Sequence, residues 1–212
     1  MPGLSPLVLR GSVVTLEPLT RGHADGLVDA VRDGQLWNLW YTSVPTPEGM
    51  TAEIDRRLAL QEAGSMLPFA TRRTSDGLLL GMTTYMNIDV SVPRVEIGST
   101  WNRASARGSG SNAESKLLLL GHAFDTLGCP VVEFRTHWMN HRSRAAIEYL
   151  GARLDGVLRA HQRTSDGALR DTCVYSITAT EWPQVRSGLL FRLARSTRAE
   201  DPGRRSPRAG PT

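Results

Sequence analysis

Cysteine is scarce in this 212-residue chain, which holds only Cys129 and Cys173. The two lie far apart and fit no metal-ligand spacing. A disulfide framework and a metal site are therefore not expected, and a reducing compartment suits the composition. Long apolar runs are missing too. No segment approaches the ~20 apolar residues that span a bilayer, and Met1-Pro2-Gly3-Leu4 lacks the charged start and apolar core of a secretory leader. The expectation is a cytoplasmic protein with no membrane partner. Concentrated positive charge is absent from the body of the chain. Of a net charge of +4, most resides in 195–212, where five arginines face only Glu200 and Asp201. No nucleic-acid partner is expected, because such binding needs a surface matched to many phosphates. Repeats of solenoid period are also absent.

What remains is a chain with 40% hydrophobic residues, enough for one well-buried core. One domain over 1–195 is expected, followed by a Pro, Gly, Arg and Ser-rich tail over 196–212 expected to be disordered. The patterning predicts a strand within Leu7–Leu19 and a helix over Arg21–Arg32. A second helix should be opened by Thr46-Pro47-Glu48 and run to about Ala63. Strands over 67–74 and 78–88 flank the turn Ser75-Asp76-Gly77, and a third covers Arg94–Trp101. A helix over Ala113–Leu127 stops at Gly128, a strand spans Val131–Trp138, and a helix over Arg142–Leu150 stops at Gly151. A hairpin around Ser165-Asp166-Gly167 and a helix from Thr180 to about Arg195 close the chain. This order implies a mixed α/β fold: a mostly antiparallel sheet with helices on both faces and one parallel crossover in its middle.

The most informative stretch is Arg107-Gly108-Ser109-Gly110-Ser111-Asn112-Ala113-Glu114. A cation and two glycines precede a strongly apolar helix. The first amides of a helix lack intrahelical partners and carry the positive end of its dipole, so this is the make-up of an anion cradle. Two other readings compete. Ser111-x-x-Glu114 fits a capping box, which needs no ligand. Gly108-x-Gly110-x-x-Ala113, with Glu133 further on, fits a dinucleotide fingerprint. The dinucleotide reading is the weaker, because an antiparallel hairpin precedes the glycines and several residues separate them from Trp101.

Arg107-x-x-Gly110 at a helix start, then a strand, then Asn140-x-x-Ser143 and Leu150-Gly151-Ala152, resembles the GNAT acetyltransferase superfamily, in particular its RimJ/RimL branch. The resemblance covers about Val8 to Trp182. It implies a three-layer fold that binds acetyl-coenzyme A in a V-shaped split between two parallel central strands, here Arg94–Trp101 and Val131–Trp138, with no metal. Carried over by position, the amides around Arg107, Gly108, Ser109, Gly110, Ser111 and Asn112 would bind the pyrophosphate. Ser99, Thr100 and Trp101 would pair with the pantetheine, and an amide near Trp101 or Asn102 would stabilise oxyanion charge. Asn140 would hydrogen-bond the pantetheine. Where many relatives carry a tyrosine to protonate the leaving thiolate, this chain has Ile147, so Ser143 becomes the candidate proton donor. The branch leaves a homodimer among the open oligomeric states.

The implied activity is N-acetylation of a primary amine of a peptide, protein N-terminus or small metabolite; a non-catalytic acyl-coenzyme A sensor is the alternative. Glu96 and His137, one on each central strand, are the candidates for base or water relay. Trp37, Trp40 and Tyr41, with Tyr85, are candidates for the acceptor pocket, although aromatic clusters also cover cores.

Overall fold

The computed structural model describes residues 4–164 and 167–199. Eight strands form one sheet: β1 (Leu9–Arg10), β2 (Val14–Pro18), β3 (Met66–Arg73), β4 (Leu79–Asp89), β5 (Arg94–Asn102), β6 (Val131–His137), β7 (Arg153–Arg163) and β8 (Leu169–Thr178). Their order across the sheet is β1-β2-β3-β4-β5-β6-β8-β7. Every neighbouring pair is antiparallel except β5 and β6. The helices are α1 (Ala24–Arg32), α2 (Met50–Glu62), α3 (Ser111–Gly121), α4 (His141–Leu150) and α5 (Trp182–Ala199).

Period-2 alternation sorts the sheet residues between two cores. Ala70, Met82 and Trp101 join Leu27, Val31, Met50 and Ile54 beneath α1 and α2. Phe69, Tyr85, Ile97 and Phe134 join Leu119, Leu120, Ala123, Trp182 and Leu189 beneath α3 and α5. Both cysteines are free and buried in that second core.

Several boundaries differ from the sequence-based expectation. The first strand is broken into β1 and β2 by a turn at Gly11-Ser12-Val13, in which Gly11 N donates to Val14 O and the Ser12 and Val13 amides need outside acceptors. Thr46 does not open α2: its Oγ1 accepts from Gly49 N at 3.1 Å in a separate turn, and the helix begins at Met50. α3 widens into a π-type turn over His122–Thr126 before Gly128 stops it with φ +67°. α5 runs to Ala199, past the expected end. Residues Ser165 and Asp166 of the last turn, and the tail from 200 on, lie outside the described residues. Among the described residues, no helix is long and apolar enough to cross a membrane.

Candidate functional site: a splayed strand pair leading to an uncapped helix

β5 and β6 pair only over Arg94↔Val131, Val95↔Val132 and Glu96↔Glu133. Beyond that point β5 stays with β4 as far as Asn102, and β6 stays with β8 as far as His137. The strands thus part into a V, leaving two backbone edges facing each other with their polar groups open to a ligand. An irregularity in β5 sits at the fork: Thr83 faces both Ser99 and Thr100, and Ser99 adopts φ +46°. Arg103 N donates to Leu80 O on β4 at 2.7 Å, so strand alternation turns the Asn102 amide toward the opening.

The bulge is clamped from the α2 side. Arg57, 1% exposed, donates from Nη2 to Ser99 O at 3.1 Å, from Nη1 to Thr84 Oγ1 at 2.7 Å and from Nε to Glu53 Oε1 at 2.7 Å. From the α3 side Lys116 Nζ donates to Thr100 Oγ1 at 3.0 Å, and the two threonine hydroxyls of Thr83 and Thr100 meet at 2.8 Å. No ion pair holds Lys116 among the described residues, and burial lowers its pKa to about 7. Neither residue was singled out from sequence. Arg57 follows Met50 and Ile54 on the apolar stripe of α2, and Lys116 shares the buried face of α3 with Leu119 and Leu120. A charged residue on an apolar stripe was the available signal in both cases.

Lys116 carries a stability prediction. Its amine holds a proton up to its ordinary value of 10.5 when unfolded but releases it near 7 when folded. Between those values the unfolded chain binds more protons, so stability rises with pH through that window and is flat with respect to this group below it. Urea melts at pH 7 and pH 9 should show that rise, and Lys116→Met should flatten it. A variant with the parental slope would contradict the assignment.

The V opens into a cleft of about 1330 Å³ that continues past the glycine segment to α4 and α5. Gly108 and Gly110 have φ of +79° and +78°, a region in which side-chain-bearing residues are disfavoured. Gly110 is the N-cap of α3 and offers no side chain to the first amides, of which Ser111 N makes one long bond, to Ser109 Oγ at 3.4 Å. The competing capping box does not form. The Glu114 carboxylate instead reaches the turn between β1 and β2. Its Oε1 accepts from Ser12 N and Ser12 Oγ at 2.9 and 2.8 Å, and its Oε2 accepts from Val13 N and Val14 N, both at 2.6 Å. The Ser111 hydroxyl donates to Ala106 O. The α3 N-terminus is therefore held from behind and left open in front, which fits a diphosphate.

Most residues singled out from sequence converge on this cleft: Glu96, Ser99, Thr100, Trp101, Arg107, Gly108, Gly110, Ser111, Asn112, His137, Asn140, Ser143 and Tyr41 all line it. Four do not. Tyr85 belongs to the core, not to an acceptor pocket: strand parity points it at α3, where its hydroxyl donates to Leu119 O. Trp37 packs into the core under α1 and α2. Ser109 folds its hydroxyl back to Ala106 O. Trp40 is 62% exposed and sits outside the lining, its ring edge-on to Tyr41 and to His137. Trp101 lines the cleft while its indole is buried in the α1/α2 core, so its contribution there is chiefly backbone.

Glu96 is 4% exposed and accepts from Asn87 Nδ2 at 2.6 Å. Burial raises its pKa above the usual carboxylate range, opposed by Asn87 and by Arg135, whose Nε lies 3.5 Å away. Gly98 keeps that carboxylate in place, since a Cβ there would lie 2.9 Å from Glu96 Oε1 and 2.7 Å from Met86 Sδ. His137 accepts at Nδ1 from Met139 N at 3.0 Å, which leaves the proton of the neutral ring on Nε2. Burial lowers its pKa, and Arg170 pushes the same way. At the N-terminus of α4 the Asn140 side-chain oxygen caps Ser143 N at 3.0 Å, so only its NH₂ remains to donate to a ligand. The Ser143 hydroxyl has no hydrogen bond among the described residues. Ile147 is buried and lines the cleft, whereas Tyr149 is turned out, stacked under Arg192. With Phe191 and Arg195, these two give the outer end of the cleft exposed aromatic faces and guanidinium groups.

A mostly antiparallel sheet split between its two parallel strands, with an open helix N-terminus at the mouth of the split, defines an α/β protein whose cleft has the shape and polarity for an extended, phosphate-bearing ligand. Residues 14–153 match the family described as Acetyltransferase (GNAT) domain. The chain belongs to the GNAT acetyltransferase family, whose members transfer acetyl groups from acetyl-coenzyme A. Among solved structures, it is similar to a GCN5-related N-acetyltransferase from Brucella melitensis, with 27% identity and a TM-score of 0.79 over 90% of this chain and 86% of that one. It is also similar to Mycobacterium smegmatis RimJ in complex with CoA-disulfide, with 25% identity and a TM-score of 0.71 over 92% of this chain and 94% of that one. The ribosomal-protein-S5-alanine acetyltransferase from Vibrio fischeri shares the fold at 14% identity, with a TM-score of 0.66 over 83% and 98% of the two chains. No curated protein matches the sequence.

Proposed function

We propose that the protein is an acetyl-coenzyme A-dependent N-acetyltransferase of RimJ/RimL-like type, cytoplasmic, acting on a primary amine of a peptide, a protein N-terminus or a small metabolite. The observation that carries this reading is the continuity of the β5/β6 split with the uncapped N-terminus of α3 in one cleft. Acetyl-coenzyme A supplies the acetyl thioester that the amine attacks.

The chain's own residues orient the reactants and manage charge. The open amides of α3 and Arg107 hold the diphosphate. The free edge of β5 at Ser99–Asn102 pairs with an extended pantetheine arm as an added strand would, and the Asn102 amide is aimed to donate where oxyanion charge develops. Glu96 suits the part of proton acceptor, directly or through water, because burial makes its carboxylate more basic than usual. His137 holds its own proton on Nε2 and suits donation to the acceptor better than deprotonation of it. Ser143 has the free hydroxyl that a leaving thiolate requires. The outer aromatic and guanidinium groups of Tyr149, Phe191, Arg192 and Arg195 suit the adenine and 3′-phosphate of the coenzyme.

Calorimetric titration with acetyl-coenzyme A, with NADH as control, tests the cradle, and release of free thiol with an amine panel tests the chemistry. Micromolar binding to acetyl-coenzyme A alone, followed by turnover, is the expected result. Ser143→Ala should lower kcat by roughly 100-fold, the low end of what a positioned proton donor contributes, with coenzyme affinity little changed. A variant as fast as the parent removes Ser143 from the reaction. The buried Ile147 in the usual tyrosine position favours the second reading, an acyl-coenzyme A sensor without turnover. Binding with no thiol release on any amine would select it.

A further inference from the structure

The wall of the cleft that carries Glu96 and His137 holds one guanidinium that forms no ion pair among the described residues. Glu133 is held by Arg94 at 3.3 Å and by Arg135 at 2.9 Å, and Glu96 by Arg135 and Asn87. Arg170 is left over. It lies on β8, lines the cleft half-buried, and has no carboxylate within ion-pair distance among the described residues; its Nε donates only to Thr172 Oγ1, at 3.3 Å. Arg135 Nε, for its part, is buried and makes no hydrogen bond among the described residues, Glu96 Oε2 lying 3.5 Å away.

Register shows where these cations act. Thr172 stands opposite His137. Arg170 is two residues further along the same strand, and therefore on the same face, about 7 Å toward the open end of the V. Its charge reaches both groups at the fork: it favours the ionised form of Glu96 and disfavours the protonated form of His137. The phosphate-binding end of the cleft, by contrast, has its own cations in Arg107, Arg192 and Arg195. A half-desolvated guanidinium with no ion pair among the described residues is satisfied best by an anion brought in by the ligand, and the planar fork of arginine matches a carboxylate in two-point contact.

We infer that the acceptor is an amino-carboxylate, its amine directed to Glu96 and its carboxylate bound by Arg170 with help from Arg135. The inference rests on the acetyltransferase reading and deepens it by naming the acceptor chemistry. Such a carboxylate can come from a free amino acid or from an acidic residue next to a peptide N-terminus. Both sources present an amine and an anion a few ångströms apart.

Matched pairs test it. One pair is a C-terminally amidated peptide with Asp or Asn as its second residue; the other is a free amino acid or its carboxamide, with rates normalised to the neutral-amine fraction. At least one pair should show a kcat/KM at least 10-fold higher for the carboxylate member, expressed mainly in KM, and the pair that does so identifies the source. Arg170→Gln should collapse that ratio toward one, and Arg170→Lys should restore part of it. Equal use of the two members in both pairs, or a ratio that survives Arg170→Gln, overturns the anion site while leaving the acetyltransferase reading standing. Coenzyme binding with no thiol release from any amine overturns both.

Discussion

Gly110→Asp should abolish acetyl-coenzyme A binding in calorimetry, weakening it by at least about 100-fold, while leaving a folded protein. Three effects add at this position. Gly110 has φ +78°, where any side chain carries a strain of about 1–2 kcal/mol. It is the N-cap of α3, so the new side chain stands where the open amides need a ligand and its carboxylate would accept their hydrogen bonds itself. The added negative charge then faces an incoming diphosphate with little water between them, a repulsion far larger than it would be in bulk solvent. Aspartate at an N-cap is otherwise favourable for a helix, so folding stability should change little, and circular dichroism should report a parental helix content. Gly110→Asn separates the causes, because it copies the shape without the charge and should lose only about 10-fold. Retained affinity in the Asp variant would sink the cradle, and with it the coenzyme assignment.

The parts of this site that were legible in the sequence are those written in local chemistry. Glycines that need a positive φ, an arginine before a helix start, and a strand followed by Asn140 each mark a backbone requirement met within a few residues. The order of elements then constrains the sheet enough to bring them together. What stayed hidden depends on partners distant in sequence. Glu114 fits a local capping pattern, yet its hydrogen bonds go to Ser12, Val13 and Val14, about a hundred positions away. Tyr85 lies in a strand that is apolar on both faces, so no alternation told its core side from its cleft side; Thr84 next to it faces Arg57, and Tyr85 itself faces Leu119. Arg170 sits in a hairpin strand between Leu169 and Asp171, with no local motif to mark it, and only the pairing of β8 with β6 sets it beyond His137.

The two ends of the cleft pose opposite electrostatic problems, and the fold answers each with a different device. At the end that opens on α3 the charge comes from Arg107, Arg192 and Arg195 together with a helix start that holds no proton to lose and keeps its direction at any pH. At the fork it is supplied by side chains whose protonation is set by burial. Glu96 is made more basic and His137 less so, while Lys116 braces the bulge with an amine that need not be charged. Binding of the coenzyme's phosphates should therefore vary less with pH than turnover does.

The largest effect on stability is expected from Glu114→Ala. One carboxylate satisfies three backbone amides and a hydroxyl in the β1–β2 turn, and the Val14 amide among them is fully buried. Hydrogen bonds to a charged acceptor contribute about 1.5–3 kcal/mol each, and a buried donor left without a partner costs about 1–3 kcal/mol. The terms are not additive, since water can enter the space left by the side chain and re-pair the two outer amides. A net loss of about 3–4 kcal/mol remains, equivalent to a fall in Tm of roughly 6–16 °C for a chain of this size. Glu114→Gln is the sharper probe. It keeps the volume and one acceptor oxygen but turns its NH₂ toward amides that also donate, so it should recover well under half of the loss. The same carboxylate ties the first turn of α3 to the sheet, so acetyl-coenzyme A affinity should fall together with stability in both variants. A Tm within 2 °C of the parent would mean that solvent serves the turn as well as Glu114 does. Lowered stability with unchanged affinity would mean that the α3 N-terminus keeps its direction without that tether.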